Sequence, residues 1–355
     1  MRSFLNQQMA AMPPSGIRKF FDLVAQSKGI ISLGVGEPDF ATPWHIREAA
    51  IYSLEKSRTA YTSNWGMPEL REAISENLRQ WQGLNYSPQE EILVTVGVAE
   101  GIDLVMRAIA EPGDEVLIPE PCFVSYVPCA QMAGATPVTI SLRAEDDFKL
   151  TPELLRAHIT PKSKALMIGF PNNPTGAIMT REELMPIAQL AIEHDLLVIT
   201  DEVYGTMTYG GEHTSIAALP GMRERTVVLN GFSKAYAMTG WRLGYACGPA
   251  DIIGLMMKIH QYAIMSAPTP SQFAGLEALK MGSAERDKMT AEYDRRRRLM
   301  YHGFLEMGLP CFEPKGAFYI FPSIAPTGMN EHDFCMALLE EEKVAVVPGT
   351  AFGSG

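Results

Sequence analysis

Short apolar runs alternate with longer amphipathic segments over most of the chain after Glu91. The apolar runs are continuous and rich in β-branched residues, and we predict that they are buried strands: Ile92–Val96, Glu115–Ile118, Ala165–Ile168, Leu196–Thr200 and Thr226–Leu229. Most are separated by helix-length segments such as Arg181–His194. This alternation predicts an α/β fold in which helices cover both faces of a doubly wound, mainly parallel sheet.

The two ends of the chain have a different pattern. Residues 1–45 are irregular and rich in proline and glycine, and helices are predicted to begin near Trp44 and at Pro68. Beyond Met281 a long helix leads to Gly316–Pro322 and Val344–Pro348, which indicates a smaller α+β unit. We therefore expect an N-terminal arm with part of a small domain at 1–45, a large domain at 46–281 and an incomplete small domain at 282–355.

Composition narrows the function classes. The chain has 355 residues, of which 46% are hydrophobic, and a net charge of −11, which disfavours binding to nucleic acid or to an anionic membrane. The basic run Arg295–Arg298 lies in a helical pattern beside Glu292 and Asp294, so we expect a solvated helix face.

Cysteines and histidines give no sign of a metal site. The five cysteines are scattered without a C-x-x-C pair, and the histidines lack the spacing of metal ligands. The N-terminus has no apolar signal-peptide core, and no apolar stretch reaches the ~18 residues that a membrane span requires. A cytoplasmic location, with cysteines as free thiols, is the expectation.

Reactive side chains follow the predicted strand Thr226–Leu229. Ser233 and Lys234 come directly after it, and Arg242 follows in the same segment. A lysine amine can form an imine, while a hydroxyl and a guanidinium can hold a phosphate. The set suits pyridoxal 5′-phosphate (PLP), although a loop lysine is more often a solvated surface charge.

A carboxylate follows a second strand. Asp201 comes directly after Leu196–Thr200, and a carboxylate buried at a strand end needs a cationic partner, which a pyridinium nitrogen would provide. Tyr204 could hydrogen-bond a ring hydroxyl of the same ligand. The alternative is that Asp201 caps the next helix.

Three further strand ends carry weaker signals. Asn173 lies in a proline- and glycine-rich turn after Ala165–Ile168, which could equally be a plain turn. Gly97–Gly101 opens a helix whose backbone N–H groups could bind a phosphate. Phe123 could stack on a planar cofactor or pack in the core. Ligands of open α/β sheets bind at this edge, so these groups are expected to lie together.

In this order the motifs resemble those of the class I and II aminotransferases of PLP fold type I. The resemblance extends over nearly the whole chain and is closest to the aromatic-amino-acid and aspartate aminotransferases. Besides Ser233 and Lys234, it is carried by Ser32–Asp39, Tyr61, Gly66–Arg71, Asn172–Gly176, Asp201–Tyr204 and Gly240–Gly244.

The resemblance implies the catalytic residues and the cofactor's ring contacts. Lys234 would carry the imine and move protons. Asp201 would hold the pyridine nitrogen, and Tyr204 and Asn173 the 3′-oxygen. Phe123 would stack on the ring.

The resemblance also implies the remaining contacts. The backbone of Val98 and Ala99, with Ser233 and Arg242, would bind the phosphate, and Tyr61 would reach the phosphate in the other subunit of a homodimer. Gly36, Asn173 and Phe123 would contact the substrate.

Two departures from the family pattern stand out. Many members have a serine where this chain has Gly231, which leaves Ser233 as the phosphate hydroxyl of that segment. The arginine that binds the substrate's α-carboxylate would lie beyond Gly355. Either the sequence is trimmed or the protein lacks this anchor, and we favour the first.

The expected function is amino-group transfer between an L-amino acid, such as an aromatic one or aspartate, and a 2-oxo acid such as 2-oxoglutarate. A PLP-dependent lyase, decarboxylase or synthase is an alternative, and a noncatalytic PLP-binding regulator is another. A dinucleotide enzyme is disfavoured because Pro38 and Asp39 interrupt the glycine motif that begins at Gly34. Side-chain specificity is expected to depend on the segment near Ser15–Ile17, on Phe123 and on the partner subunit.

Overall fold

The central element of the protein is a seven-stranded sheet. A computed structural model describes residues 4–14, 29–34 and 36–353. The strands among these residues are β1 (Ile31–Ser32), β2 (Ile92–Thr95), β3 (Glu115–Glu120), β4 (Thr136–Ser141), β5 (Ser163–Gly169), β6 (Leu197–Asp201), β7 (Thr226–Gly231), β8 (Gly244–Cys247) and β9 (Val344–Ala345). The sheet has the order β2-β8-β7-β6-β5-β3-β4. β8 is antiparallel to both neighbours and the other pairs are parallel.

The helices fill the intervals between the strands and continue beyond the sheet. Their bounds are α1 (Gln7–Ala11), α2 (Trp44–Glu55), α3 (Pro68–Gln82), α4 (Gly97–Ile109), α5 (Tyr126–Met132), α6 (Pro152–His158), α7 (Arg181–Glu193), α8 (Ala250–Ala263), α9 (Thr269–Met281), α10 (Ser283–Glu306) and α11 (Glu331–Glu341). No described helix is both long and apolar enough to span a bilayer.

Alternating strand residues face two different helical layers. In β6, Ile199 packs in one buried cluster with residues of α4 and α8, whereas Val198 packs in another with residues of α6 and α7. A third cluster joins α2, α3 and α9 to β2 and β8. Both faces of the sheet are therefore covered, which confirms the predicted α/β architecture with its mainly parallel sheet.

Five of the seven strands lie where the apolar pattern predicts them, as do the helices that begin at Trp44, Pro68, Arg181 and Ser283, whereas α8 and α9 were not predicted. The pattern does not predict two of the strands, β4 and β8. β4 is an edge strand in which only Ile140 is fully buried, and β8 is only four residues long. The helix after β2 begins at Gly97, in agreement with the prediction that Gly97–Gly101 opens a helix.

The C-terminal residues form a second, smaller structure. β1 pairs in parallel with β9, so residues from both ends of the chain share a two-stranded sheet. Arg295 and Arg298 lie on a solvated face of α10, as expected. The expectation is wrong for Arg297, whose side chain is only 13% exposed, because it pairs with Asp294 and with Glu313 of the following loop.

Candidate active site

Lys234 lies in the turn between β7 and β8, inside a cage of aromatic rings. Its Nζ donates a hydrogen bond to the carbonyl oxygen of Gly36. The same atom lies 5.8 Å from the ring centroid of Tyr204 and 5.6 Å from that of Phe318. Burial lowers the pKa of Lys234 to about 8, although the nearby Glu37 and Asp201 carboxylates oppose this shift. The amine is therefore partly neutral near physiological pH.

Asp201 ends β6 and is 7% exposed. Its Oδ2 accepts a hydrogen bond from the Tyr126 hydroxyl at 2.8 Å, and its Oδ1 accepts one from the Val203 backbone N–H at 3.2 Å. Burial raises the pKa of Asp201 to about 6, and both hydrogen bonds oppose that rise because they stabilise the carboxylate. A cation placed beside this side chain would gain a strong interaction, since the carboxylate has little contact with water.

Two more polar groups accompany Asp201 at this edge. The hydroxyls of Tyr204 and Tyr319 form a hydrogen bond, and burial raises the pKa of Tyr204 well above its ordinary value, so the phenol stays protonated. The side-chain Oδ1 of Asn173 is buried and has no hydrogen-bond partner among the described residues. A buried polar atom of this kind indicates a missing ligand or water.

The first turn of α4 lies against the guanidinium of Arg242. Gly97 has a φ of +76°, and a Cβ there would lie 2.7 Å from the Arg242 Nη2. A Cβ on Gly244 in β8 would lie 2.8 Å from the backbone nitrogen of Val98. Only glycine allows both approaches. The N-terminal N–H groups at Val98 and Ala99 and the cationic Arg242 thus lie together, an arrangement suited to an anion.

The remaining predicted site residues differ in how deeply they are buried. Ser233 is half-buried in the turn that holds Lys234. Gly36 has no room for a side chain because a Cβ would lie 2.5 Å from the Tyr319 hydroxyl oxygen. Phe123 is half-buried and makes an edge contact with Tyr126 at 5.7 Å between ring centroids. Tyr61 is 76% exposed, and the predicted specificity segment Ser15–Ile17 lies outside the described residues.

Sequence reasoning missed three aromatic residues that complete this arrangement. Tyr126 donates to Asp201, Tyr319 bonds to Tyr204, and Phe318 forms part of the cage around Lys234. Tyr126 comes three residues after Phe123, so the same strand end could have suggested it. Tyr319 and Phe318 lie in the irregular segment Gly316–Pro322, which the sequence pattern assigned to the small unit without indicating a role in the site; their aromatic run is the signal that could have suggested one.

The groups match the three functional ends of PLP. The Asp201 carboxylate fits a pyridinium nitrogen, the Lys234 amine fits an aldehyde, and the Arg242 side of α4 fits a phosphate. The unpartnered Oδ1 of Asn173 and the close approach of Arg242 to Gly97 are the observations that support this fit.

Comparison with known proteins gives a consistent result. The family model described as aminotransferase class I and II matches residues 28–354. The Bacillus subtilis (strain 168) protein YugH is 53% identical over 99% of this chain and 92% of its own. An aspartate aminotransferase of Pyrococcus abyssi is 46% identical over 98% of this chain and 90% of its own. The crystal structure of an aromatic aminotransferase from Pyrococcus horikoshii OT3 superposes with a TM-score of 0.90 at 46% identity, covering 95% of this chain and 91% of that one.

Proposed function

The chain belongs to the class I and II aminotransferases, and from this membership we propose specific roles for its residues and a class of substrates. It is a PLP-dependent enzyme that transfers amino groups. The names of its relatives favour transamination over a lyase or synthase reaction. When bound, PLP supplies the electron sink for the reaction, while the protein supplies orientation and charge.

At the pyridine end, Asp201 would hold the ring nitrogen. This proposal rests on one observation above all: among the described residues, the 7%-exposed carboxylate accepts hydrogen bonds from just two groups, the Tyr126 hydroxyl and the Val203 N–H. A protonated ring nitrogen would stabilise it further. Tyr204, which remains protonated, and Asn173 would hold the 3′-oxygen, and Phe123 would cover the ring.

At the other end, the phosphate would bind to the first turn of α4. The backbone N–H groups of Val98 and Ala99 are the donors, and Arg242 supplies the positive charge next to Gly97. Ser233 adds a hydroxyl from the Lys234 turn. With both ends of the cofactor held, its aldehyde carbon would lie at Lys234.

Lys234 would serve as the proton carrier between the substrate's α-carbon and the C4′ atom of the cofactor. An amine does this best when its pKa is near the working pH, and burial lowers the pKa of Lys234 to about 8. Gly36, Asn173 and Phe123 would contact the substrate.

The substrates would be an aromatic amino acid or aspartate, with 2-oxoglutarate as the amino acceptor. One relative is named an aspartate aminotransferase and another an aromatic-amino-acid aminotransferase, at 46% and 45% identity. Steady-state kcat/KM over a panel of amino acids would separate the two classes.

Product analysis tests the reaction itself. With 2-oxoglutarate, the enzyme should convert the amino acid to its 2-oxo acid and form equimolar glutamate. Lys234→Ala should abolish this turnover and the visible absorbance band of bound PLP. Ammonia and pyruvate as products, or a variant that kept both the band and the turnover, would contradict the proposal.

We also propose a homodimer with a shared active site. Tyr61 is 76% exposed. Tyr262, near the end of α8, and Met265, just after that helix, are exposed as well, and the Asn64 side chain donates a 2.7 Å hydrogen bond to the Met265 carbonyl. An apolar surface of this kind is typical of an interface. Size-exclusion chromatography with light scattering would test the dimer.

The domain division and location complete the proposal. The pairing of β1 with β9 supports assigning residues 1–45 in part, together with 282–355, to a small domain, and 46–281 to the large PLP-binding domain. All five cysteines are free thiols, which supports a cytoplasmic location.

A further inference from the structure

The Tyr319 hydroxyl lies inside the candidate active site next to two groups that the proposed function uses. It forms a hydrogen bond with the Tyr204 hydroxyl. Its oxygen is also so close to Gly36 that a Cβ on that residue would lie 2.5 Å away from it. Glycine at position 36 therefore leaves room for the hydroxyl beside Tyr204.

The segment that carries Tyr319 is attached to the segment that carries Tyr204. The backbone N–H of Ala317 donates a hydrogen bond of 2.9 Å to the carbonyl of Met207, which lies in the helical turn directly after Tyr204. The rings of Tyr204 and Tyr319 meet edge to face, with 5.5 Å between their centroids. Backbone and ring contacts thus hold the two hydroxyls together.

Both phenols keep their protons. Burial raises the pKa of Tyr319 above its ordinary value, and the hydrogen bond with Tyr204 opposes this rise only in part. Burial likewise raises the pKa of Tyr204. Each hydroxyl therefore has one proton to donate and lone pairs with which to accept.

The proposed role of Tyr204 decides which phenol donates. In the protein alone, either hydroxyl could be the donor of the pair. A 3′-oxygen that carries negative charge accepts hydrogen bonds and cannot donate one, so Tyr204 would give it its single proton. The Tyr204 oxygen could then only accept from Tyr319.

We propose that Tyr319 is a positioning residue that donates its proton to the Tyr204 hydroxyl and thereby directs the Tyr204 proton to the 3′-oxygen of the cofactor. Hydrogen bonds in a chain polarise one another, so this donation makes Tyr204 a stronger donor. Tyr319 acts on the cofactor through Tyr204. The inference rests on the proposed function, in which Tyr204 holds the 3′-oxygen.

The test follows the visible band of bound PLP against pH in the full-length chain, without substrate. The 3′-oxygen belongs to the chromophore, so Tyr204→Phe should shift the pH midpoint of the band. Tyr319→Phe removes one oxygen atom and keeps the ring. It should shift the midpoint in the same direction by about a tenth to a third as much, because neighbouring hydrogen bonds strengthen each other by roughly 10–30%. Added to Tyr204→Phe, it should cause no further shift.

Tyr209 provides a matched control. It is also a buried tyrosine, and its hydroxyl donates a hydrogen bond to the carbonyl of Ala317, in the segment that carries Tyr319. Tyr209→Phe therefore weakens the attachment of that segment without removing the hydroxyl that donates to Tyr204. It should leave the midpoint at the wild-type value.

Gly36→Ala perturbs the same hydroxyl by a different route. The added methyl group would displace the Tyr319 hydroxyl from its place beside Tyr204. The midpoint should shift in the direction seen with Tyr319→Phe. If Tyr319→Phe does not fold, the absence of this shift in Gly36→Ala overturns the proposal.

The outcomes separate the two levels of the argument. If the wild-type protein forms no visible band with PLP, the proposed function is wrong and this inference falls with it. If the band forms but Tyr204→Phe keeps the wild-type midpoint, the role of Tyr204 and the inference are both wrong. If only Tyr319→Phe leaves the midpoint unchanged, or shifts it equally with and without Tyr204→Phe, the inference is overturned and the proposed function stands. A shift in Tyr209→Phe as large as that in Tyr319→Phe has the same consequence.

Discussion

Burial shifts the pKa values of Asp201 and Lys234 in opposite directions, toward each other. It raises the pKa of Asp201 to about 6 and lowers that of Lys234 to about 8, because both lose the hydration that stabilises their charged forms. The two residues need different protonation states for their proposed roles. Burial therefore has two effects: it makes the Lys234 amine easier to deprotonate, and it leaves the Asp201 carboxylate in need of a cationic partner.

The lowered pKa of Lys234 predicts how PLP capture depends on pH. Only the neutral amine attacks the aldehyde, so the rate at which the visible band appears should rise with pH and have its midpoint at about 8. Stopped-flow absorbance on cofactor-free protein measures this rate. Because the Glu37 carboxylate raises the pKa of Lys234, Glu37→Gln should move the midpoint below that of the wild type. A midpoint near 10.5, the ordinary lysine value, would show that the amine is not desolvated.

Asp201→Asn should stabilise the cofactor-free protein while weakening PLP binding. The folded-state pKa of Asp201 is raised from 3.8 to about 6, so its contribution to stability is present below pH 3.8 and is lost as the pH rises through about 6. An amide avoids this loss, which amounts to about 3 kcal/mol of unfolding free energy at most. Urea denaturation should show that Asp201→Asn unfolds with a higher free energy than the wild type at pH 7.5 and with the same free energy below pH 4. A variant that is less stable at both pH values would contradict the argument.

At the scale of elements, the contact between β8 and the start of α4 determines the phosphate side of the site. Gly244 pairs with Thr95 and Gly231 on its two neighbouring strands, and a Cβ on Gly244 would lie 2.7 Å from the carbonyl carbon of Gly97. Backbone atoms cannot move aside as a flexible side chain can. The position of the helix turn thus depends on the absence of a single methyl group.

Gly244→Ala should therefore displace the first turn of α4. We expect a loss of about 1–3 kcal/mol in stability, the usual cost of overpacking, and weaker binding of PLP than of pyridoxal relative to the wild type. Thermal unfolding and absorbance titration measure the two effects. Gly254→Ala is the control, because Gly254 lies within α8 and a Cβ there would have no atom within 4 Å, so alanine should stabilise the helix by about 0.5–1 kcal/mol. Equal effects of the two substitutions would refute the close-contact explanation.

The same scale shows what sequence reasoning can and cannot provide. Asp201 and Lys234 could be found because each follows a continuous apolar strand, and a parallel sheet brings strand ends to one edge. Tyr319 could not, because it reaches Tyr204 from an irregular segment 115 residues away, and no local pattern encodes that contact. β8 was missed for a related reason: its strand identity comes from pairing with β2 and β7, not from its own four residues.

At the scale of the whole molecule, the exposure of Tyr61 is consistent with the homodimer proposed above. Its side chain is 76% exposed, yet its loop is firmly held: Thr269 donates a hydrogen bond to the Ala60 carbonyl and Gln272 donates one to Thr62. A held loop that presents an aromatic hydroxyl to solvent supports the proposed dimer. We infer that Tyr61 acts on the phosphate in the neighbouring subunit.

Hybrid dimers test this inference directly. Lys234→Ala should be inactive, and Tyr61→Phe should bind PLP weakly and be impaired at low PLP concentration. In a hybrid of the two, the subunit that carries Tyr61→Phe keeps its own Lys234 and receives Tyr61 from its partner, so one complete site forms and activity should exceed that of either parent. Mixing Lys234→Ala with Asp201→Asn is the control, because both residues belong to the site of their own subunit and no complete site can form. Recovery in the control, or none in the first mixture, would place Tyr61 outside a shared site.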